Sequence, residues 1–237
     1  MAATLLLRLV GPQQSWGVGS RFDERETQPE PTKSGVIGIV AAALGRPREA
    51  SIDDLAALRV AVRTDRPGRI EQDFHTVLQV ALAPRADGKS GGVNPNPVVT
   101  RRAYLADAAF TVALEGDADL LREIDAALRV PRFPLFIGRR GFPPSVPIAF
   151  PDRAPYGPAL REGDAEAVLR GAPLLLVIDP TQSLRLSVEC ALEVADVVLA
   201  DQPDAGATFA ARRFRARGLR YAFVDPRELP GPTVAGA

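Results

Sequence analysis

The order of apolar segments in the N-terminal part of the chain limits the fold more than any other feature of the sequence. Short runs rich in Leu, Val and aromatic residues indicate strands, and apolar residues that recur every three or four positions indicate helices. Strands are predicted at residues 4–10, 58–63, 104–114 and 135–137, and helices at residues 36–44 and 117–128. This order, strand, helix, strand, strand, helix, strand, is that of a ferredoxin-like (RRM-like) α+β unit, which many RNA-binding domains share.

A long gap separates the second and third predicted strands. It spans about forty residues, whereas ordinary hairpin loops have about 2–5. A strand is predicted at residues 77–83, a tip rich in Gly, Asn and Pro at residues 84–97, and a returning strand at residues 98–102. We therefore predict a projecting β-hairpin, a thumb inserted at about residues 66–103, with a flexible linker as the alternative.

The remainder of the chain is predicted to be rich in β-structure. Strands are predicted at residues 174–179 and 184–192, followed by a Val-rich stretch and a basic segment at residues 212–220. The sequence thus predicts two domains: a ferredoxin-like RNA-binding domain at residues 1–150 and a small β-rich C-terminal region at residues 151–237.

Composition excludes several classes of protein. No apolar stretch reaches the roughly 18 residues that a membrane span needs, so no membrane contact is expected. The single cysteine, Cys190, excludes an internal disulfide and suits a reducing compartment, so we expect a cytoplasmic protein. The 29 basic and 29 acidic residues cancel, so net charge gives no sign of a polyanionic partner and a purely protein-binding scaffold stays open.

Metal-dependent and cofactor-dependent chemistry is not expected. With one histidine and one cysteine, no histidine- or cysteine-based metal motif exists, and we predict no metal and no cofactor. His75 is the only side chain whose ordinary pKa lies near neutrality, so acid–base catalysis would depend on it. A metal-independent ribonuclease also needs a second group to protonate the leaving oxygen, for which Tyr104 and Lys33 are the candidates. A structural or RNA-contacting histidine is the other interpretation.

Three short patterns carry groups that could bind RNA. Lys33, Ser34 and Gly35 begin the first predicted helix, whose free N–H groups could hold a phosphate; capping by Thr32 or Ser34 is the alternative. Elsewhere, arginine stands beside aromatic residues, which is the composition of a single-strand platform in which guanidinium groups bind phosphates and rings stack on bases. These residues are Arg101, Arg102, Tyr104, Arg139, Arg140 and Phe142.

Five blocks of the sequence, read together, resemble the CasD family of type I-E CRISPR Cascade subunits. The blocks are LRLVGPQQSWG at residues 7–17, PTKSG at residues 31–35, DFHTVL at residues 73–78, YLADAAFTVAL at residues 104–114 and IGRR at residues 137–140. The resemblance implies a ferredoxin-like palm, a β-hairpin thumb and a small C-terminal part. The segment after the arginine pair departs from the family's pattern, which leaves the role of Phe142 open.

The resemblance further implies a non-catalytic role in antiviral defence. It implies a subunit that binds and caps the 5′ handle of the CRISPR RNA, contacts the backbone subunit CasC and the large subunit CasA, and meets target DNA through the assembled complex. A metal-independent endoribonuclease that processes CRISPR repeat RNA is the alternative, because a related branch of the family is the nuclease. The residues carried over as RNA-binding are Lys33, Ser34, Gly35, His75, Arg101, Arg102, Tyr104, Arg139 and Arg140.

Overall fold

The computed structural model describes most of the chain. The described residues are 2–19, 24–78, 81–82, 92–93, 96–177, 179, 181–204, 206, 208–211 and 213–230. They form nine strands of one sheet and four α-helices, so the predicted α+β class is confirmed. The strands are β1 (Ala3–Gln14), β2 (Glu24–Arg25), β3 (Arg59–Arg66), β4 (Arg69–Val77), β5 (Val98–Gly116), β6 (Leu160–Glu162), β7 (Leu184–Cys190), β8 (Val197–Pro203) and β9 (Phe214–Val224). The helices are α1 (Lys33–Leu44), α2 (Asp53–Ala56), α3 (Ala118–Arg129) and α4 (Ala165–Arg170).

The centre of the sheet has the predicted order of strands and helices as far as α3. The neighbouring strands are β6, β1, β5 and β3, each antiparallel to the next, with α1 following β1 and α3 following β5. The predicted strand at residues 135–137 is wrong, and β6 pairs with the edge of β1 in its place. The backbone of Ile137 instead bonds to Ser15 and Phe142, which makes this segment a loop.

The two helices that follow β1 and β5 pack on one face of the sheet. α1 contacts α3, and α3 contacts β1 and β5. Leu7 lies opposite Val112 and Leu9 lies opposite Phe110, and all four side chains are fully buried. Since side chains alternate across a strand, these pairs form the apolar floor under the helices. Gly45 ends α1 in the left-handed conformation.

The opposite face of the sheet carries α4 and a buried arginine. Arg63 of β3 has no exposed surface, and its guanidinium uses all five N–H donors. The acceptors are the side chains of Asp65 and Thr111 and the backbone carbonyl oxygens of Leu169, Ala172 and Pro173. A buried charge is tolerated when it is paired and fully hydrogen-bonded, so Arg63 fixes the end of α4 against the sheet.

Residues after 150 extend the same sheet. β7 pairs with β3, β9 pairs with β7, and β8 forms the far edge. The predicted strand at residues 184–192 corresponds to β7, but the described residues 174–177 form no strand. The predicted domain boundary at residue 150 stays a prediction. No helix in the described ranges is long and apolar enough to cross a membrane.

The insertion between β3 and the end of β5 is a hairpin. β4 is antiparallel to the first half of β5, with Arg69 opposite Ala106 and Val77 opposite Val98. The outgoing strand β4 ends at Val77, where the strand predicted at residues 77–83 was to begin, so its predicted position is wrong. Most of the predicted tip, including residues 84–91, lies outside the described residues. The hairpin leaves the core at Asp107, whose positive φ of 59° and bonds to Arg66 mark an irregularity that bends a strand.

Candidate nucleic-acid interface

The hairpin has two faces of different chemistry. Residues directly opposite each other in antiparallel strands point to the same side, and neighbours along a strand point to opposite sides. One face, the polar face, carries Glu71, Asp73, His75, Thr100, Arg102 and Tyr104. The other, the apolar face, carries Ile70, Gln72, Phe74, Thr76, Val99 and Arg101.

Three guanidinium groups lie close together at the base of the polar face. β2 pairs in parallel with β5, which sets Arg25 opposite Arg102, and Arg139 donates to the carbonyl oxygen of Ala103 at 2.7 Å. Burial, together with the charges of Arg102 and Arg25, lowers the pKa of Arg139, while Asp73 acts in the opposite direction. The three positive charges repel one another. A phosphate placed among them would offset this repulsion and bind with favourable energy.

Aromatic rings lie beside this arginine cluster. The guanidinium of Arg139 lies over the ring of Phe142 at 5.4 Å, and that ring is 5.8 Å from the ring of Tyr104. Phe142 is buried, whereas Tyr104 is partly exposed. The predicted combination of arginine and aromatic residues is thus brought together by two separate segments of the chain.

An open groove of about 800 Å³ runs along α1 and meets the arginine cluster. Arg25 and Arg139 belong to both the groove and the cluster. Other basic and aromatic residues of its lining are Arg46, Arg48, Arg140, Trp16, Phe133, Phe136, Phe209 and Phe214. Arg46 is already bound by Asp54 through two hydrogen bonds of 2.6 and 2.5 Å, which lower the pKa of that carboxyl. Arg48 and Arg140 are exposed.

Two glycines are needed to shape this groove. A Cβ on Gly35 would lie 2.8 Å from the ring of Trp16, so only glycine lets α1 approach the buried indole this closely. Gly138 has a φ of 94°, and a Cβ there would lie 1.9 Å from the carbonyl oxygen of Ser15. The conformation of Gly138 therefore directs Arg139 and Arg140 towards the groove.

The beginning of α1 is capped by the chain's own side chains. The carboxylate of Asp201 accepts from the backbone N–H of Lys33 at 2.7 Å, and Thr32 accepts from Gly35. Asp201 also binds Arg217 through two hydrogen bonds of 2.8 and 2.7 Å. Thr32 thus caps the helix, which was the alternative interpretation of this segment. Asp201 occupies the position that a bound anion would take at the helix N-terminus.

The side chain of Lys33 is buried beneath this cap. Its ammonium group lies 3.1 Å from both oxygens of Glu189, and its side chain is 2% exposed. Burial is the main cause that lowers the pKa of Lys33, and Glu189 partly offsets it. In this structure Lys33 links α1 to β7 through its ammonium group and to β8 through its backbone N–H, and its charge does not reach the groove surface.

His75 lies on the polar face and contacts the carboxylate of Asp73. Its partner in register is Thr100, whereas Tyr104 lies four residues further along the same strand, about 13 Å away at 3.3 Å per residue. Lys33 is buried against Glu189. The two candidate proton donors are therefore not placed beside His75.

The structure sorts the predicted RNA-binding residues into four groups. Ser34, Gly35, Arg139 and Arg140 line the groove; His75, Arg102 and Tyr104 lie on the polar face; Arg101 lies on the apolar face; and Lys33 is buried. Sequence reasoning did not assign a site role to Trp16 or Arg25. Trp16 was visible in a family block, but Arg25 stands in an irregular loop, and only its pairing with β5 reveals its position.

Comparison with known proteins assigns the family. The sequence model of the family described as CRISPR-associated protein (Cas_Cas5) matches residues 4–219. The CRISPR system Cascade subunit CasD of Escherichia coli (strain K12) is 35% identical over 162 residues, which cover 62% of this chain and 70% of CasD. The chain therefore belongs to the CRISPR-associated Cas_Cas5 family, and the resemblance to CasD read from the sequence blocks is confirmed.

Solved structures agree with this assignment over nearly the whole chain. A structure described as a crystal structure of a Cas protein is 41% identical in sequence, with a TM-score of 0.76. The match covers 96% of this chain and 97% of that protein's chain. A chain of a CRISPR RNA-guided surveillance complex is 34% identical in sequence, with a TM-score of 0.74. The match covers 98% of this chain and 95% of that chain.

The described residues contain no group of three metal-binding side chains. The polar and aromatic groups at the groove are guanidiniums and aromatic rings, which bind phosphates and bases, together with hydroxyls and the carboxylate of Glu26.

Proposed function

We propose that this protein is a non-catalytic subunit of a CRISPR Cascade complex that binds and caps the 5′ handle of the CRISPR RNA. The observation that carries the proposal is the groove along α1, which is continuous with the arginine cluster at the base of the hairpin. A path of exposed and half-buried guanidiniums beside aromatic rings suits a short single-stranded RNA, whose phosphates and unstacked bases are both accessible.

The proposed role of each residue follows from its position in the structure. Arg25, Arg102 and Arg139 bind phosphates at the junction of groove and hairpin, and Arg140 binds a phosphate within the groove. The partly exposed Ser34 and Gly35 form the wall along α1, where a hydroxyl and an uncovered backbone allow close approach. His75 and Tyr104 extend the same surface along the polar face.

The proposal also assigns partners. The similarity to CasD and to a chain of an RNA-guided surveillance complex supports assembly with a CasC-type backbone subunit and a CasA-type large subunit. Target DNA then meets the protein through the assembled complex, and the protein acts in antiviral defence in the cytoplasm. Arg101 and Lys33 are predicted RNA contacts that the groove does not include.

Binding of a fluorescently labelled 5′ handle RNA, without metal, tests the proposal. For about four phosphate contacts, the logarithm of the association constant should fall with the logarithm of salt concentration at a slope of about −2.8. Arg139→Ala and Arg140→Ala should each reduce the slope by about 0.7. Arg122→Ala is the matched control, because this exposed arginine lies on α3 and pairs with Asp119 outside the groove.

Three outcomes would overturn the assignment. Equal losses for Arg122→Ala and Arg139→Ala would show nonspecific attraction to RNA. No binding, alone or with the backbone subunit, would favour a purely protein-binding scaffold. Cleavage of repeat RNA that His75→Ala abolishes while binding is retained would identify a metal-independent endoribonuclease.

A further inference from the structure

Four charged side chains, which we call the charged ring, connect α1 with β7, β8 and β9: Lys33, Glu189, Asp201 and Arg217. The carboxylate of Asp201 accepts from the backbone N–H of Lys33 at 2.7 Å and from the guanidinium of Arg217 at 2.8 and 2.7 Å. Arg217 lies 4.0 Å from Glu189, which binds the ammonium group of Lys33 at 3.1 Å. The ring is therefore closed, and its two positive and two negative charges cancel.

The charged ring joins two sets of elements that line the groove. The α1 side of the groove includes Ser34, and the strand side includes Ala200 of β8 and Phe214 of β9. Lys33 directly precedes Ser34, and Asp201 directly follows Ala200. The hydrogen bond from Lys33 to Asp201 thus links the two sides one residue away from the groove lining on each of them.

Asp201 itself is not a ligand for RNA in the groove. The residue is 1% exposed, and both carboxylate oxygens already accept from Arg217 or Lys33. A carboxylate would also repel a phosphate. An effect of Asp201 on RNA binding must therefore act through the position of the elements that it connects.

The charged ring is better explained by geometry than by stability alone. Burying charged groups costs energy, and apolar side chains of similar volume often give equal or greater stability. Hydrogen bonds between charged groups, by contrast, are short and directional, so they fix the distance between two elements. A binding site needs such precision, because its groups must be held within about 0.5 Å of their productive positions.

We propose that Asp201 is a positioning residue for RNA binding. It holds the beginning of α1 at a fixed distance from β8, so that the α1 side and the strand side of the groove contact the same RNA strand. This inference rests on the proposed function, because the ligand of the groove is the handle RNA. Loss of the Asp201 carboxylate separates the two sides and weakens RNA binding without removing a phosphate contact.

The single tryptophan of the chain reports the position of α1. Trp16 is 1% exposed and lines the groove, and a Cβ on Gly35 of α1 would lie 2.8 Å from its ring. A shift of the beginning of α1 changes this contact and admits water to the indole. The fluorescence emission of Trp16 should then move to longer wavelength, and acrylamide should quench it more strongly.

The test compares Asp201→Ala with Asp201→Asn in the full chain. Alanine removes the acceptor for Lys33 and Arg217, whereas asparagine keeps one oxygen in the same place. Asp201→Ala should bind the labelled handle RNA about tenfold more weakly, with an unchanged salt slope and a shifted Trp16 emission. Asp201→Asn should lose about threefold or less, with a smaller shift. Binding is measured at a temperature at which far-ultraviolet circular dichroism shows each variant to be folded.

Thr111→Val is the matched control for a general loss of stability. Thr111 is fully buried on β5, and its hydroxyl donates to Asp65 at 2.6 Å and accepts from Arg63 on the opposite face of the sheet. Valine lacks the hydroxyl, so the variant loses buried hydrogen bonds and should have a lower Tm. Its RNA affinity should change less than about twofold, and its Trp16 emission should stay the same.

Three results would overturn the inference: an unchanged RNA affinity of folded Asp201→Ala, a reduced salt slope of this variant, or an equal loss of affinity with Thr111→Val. If Asp201→Ala does not fold, Asp201→Asn decides: weaker binding with a shifted emission supports the inference, and any other result overturns it. If the unsubstituted chain fails to bind the handle, the proposed function fails, whereas the Trp16 emission of the Asp201 variants still shows whether Asp201 positions α1.

Discussion

Replacing Lys33 by methionine distinguishes a structural lysine from an RNA-binding one. The ammonium group is buried between α1 and β7, 3.1 Å from the carboxylate of Glu189. Methionine has a similar length, so the substitution removes the charge without leaving a large cavity. RNA affinity should then change through the shape of the groove wall and not through the loss of a phosphate contact.

The size of the effect on stability depends on the interactions that Glu189 keeps after the substitution. Breaking a fully buried ion pair costs about 3–5 kcal/mol. Glu189 is 19% exposed, still accepts from the backbone N–H of Val60 at 3.2 Å, and keeps Arg217 at 4.0 Å. We therefore expect Lys33→Met to lower the free energy of unfolding by about 2 kcal/mol. For a chain of 237 residues this corresponds to a fall in Tm of about 4 °C.

Thermal melting and RNA binding at several salt concentrations measure the two quantities independently. Lys33→Met should lower Tm and leave the salt slope unchanged. Arg140→Met, at an exposed position of the groove, is the control and should show the reverse: an unchanged Tm and a slope reduced by about 0.7. An unchanged Tm with a reduced slope for Lys33→Met would refute the reasoning and identify Lys33 as an RNA ligand.

Three further expectations follow from single positions. Gly138→Ala should lower the free energy of unfolding by about 2 kcal/mol or more in urea titrations, because a Cβ would lie 1.9 Å from a backbone oxygen; Gly141→Ala, with no described heavy atom within 4 Å of a Cβ, should be neutral. Arg63→Met should cost about 4 kcal/mol, since it removes the ion pair of a buried carboxylate and the hydrogen bonds of the guanidinium to three carbonyl groups; a loss below about 1 kcal/mol would contradict this. In a nuclear magnetic resonance titration, the carboxyl group of Asp225 should show a pKa of about 2, because Arg227 donates hydrogen bonds to its charged form. A pKa near 3.8 would show that the hydrogen bonds with Arg227 do not form in solution.

The helices and central strands could be predicted because their apolar pattern is long and regular. α1 and α3 each run for 12 residues, and the capping residues Thr32 and Asp117 stand at their starts. α3 buries one side, whereas every residue of α1 is buried or half-buried. Local sequence fixes such elements, since helical spacing and caps act over a few residues. The same holds for β1, whose alternate leucines are all buried.

The edge strand and the loop before it could not be predicted in the same way. β6 has only three residues, LRE, and becomes a strand because the edge of β1 offers it a partner. Residues 135–137 have the composition of a strand, yet the turn at Gly138 and the bonds of Ile137 to two different segments hold them in a loop. In both cases long-range pairing decides the structure and local preference does not.

The site itself shows why neighbouring residues in sequence need not act together. Arg101 and Arg102 look like one basic pair, but the period of two along a strand sends them to opposite faces of the hairpin. Arg102 instead joins Arg25 and Arg139, which come from two distant segments and meet it through β2 pairing and the bond to Ala103. The cluster that attracts a phosphate is therefore a product of topology. Arg101 instead lies over the ring of Phe74 and pairs with Glu24, so it does not join the cluster.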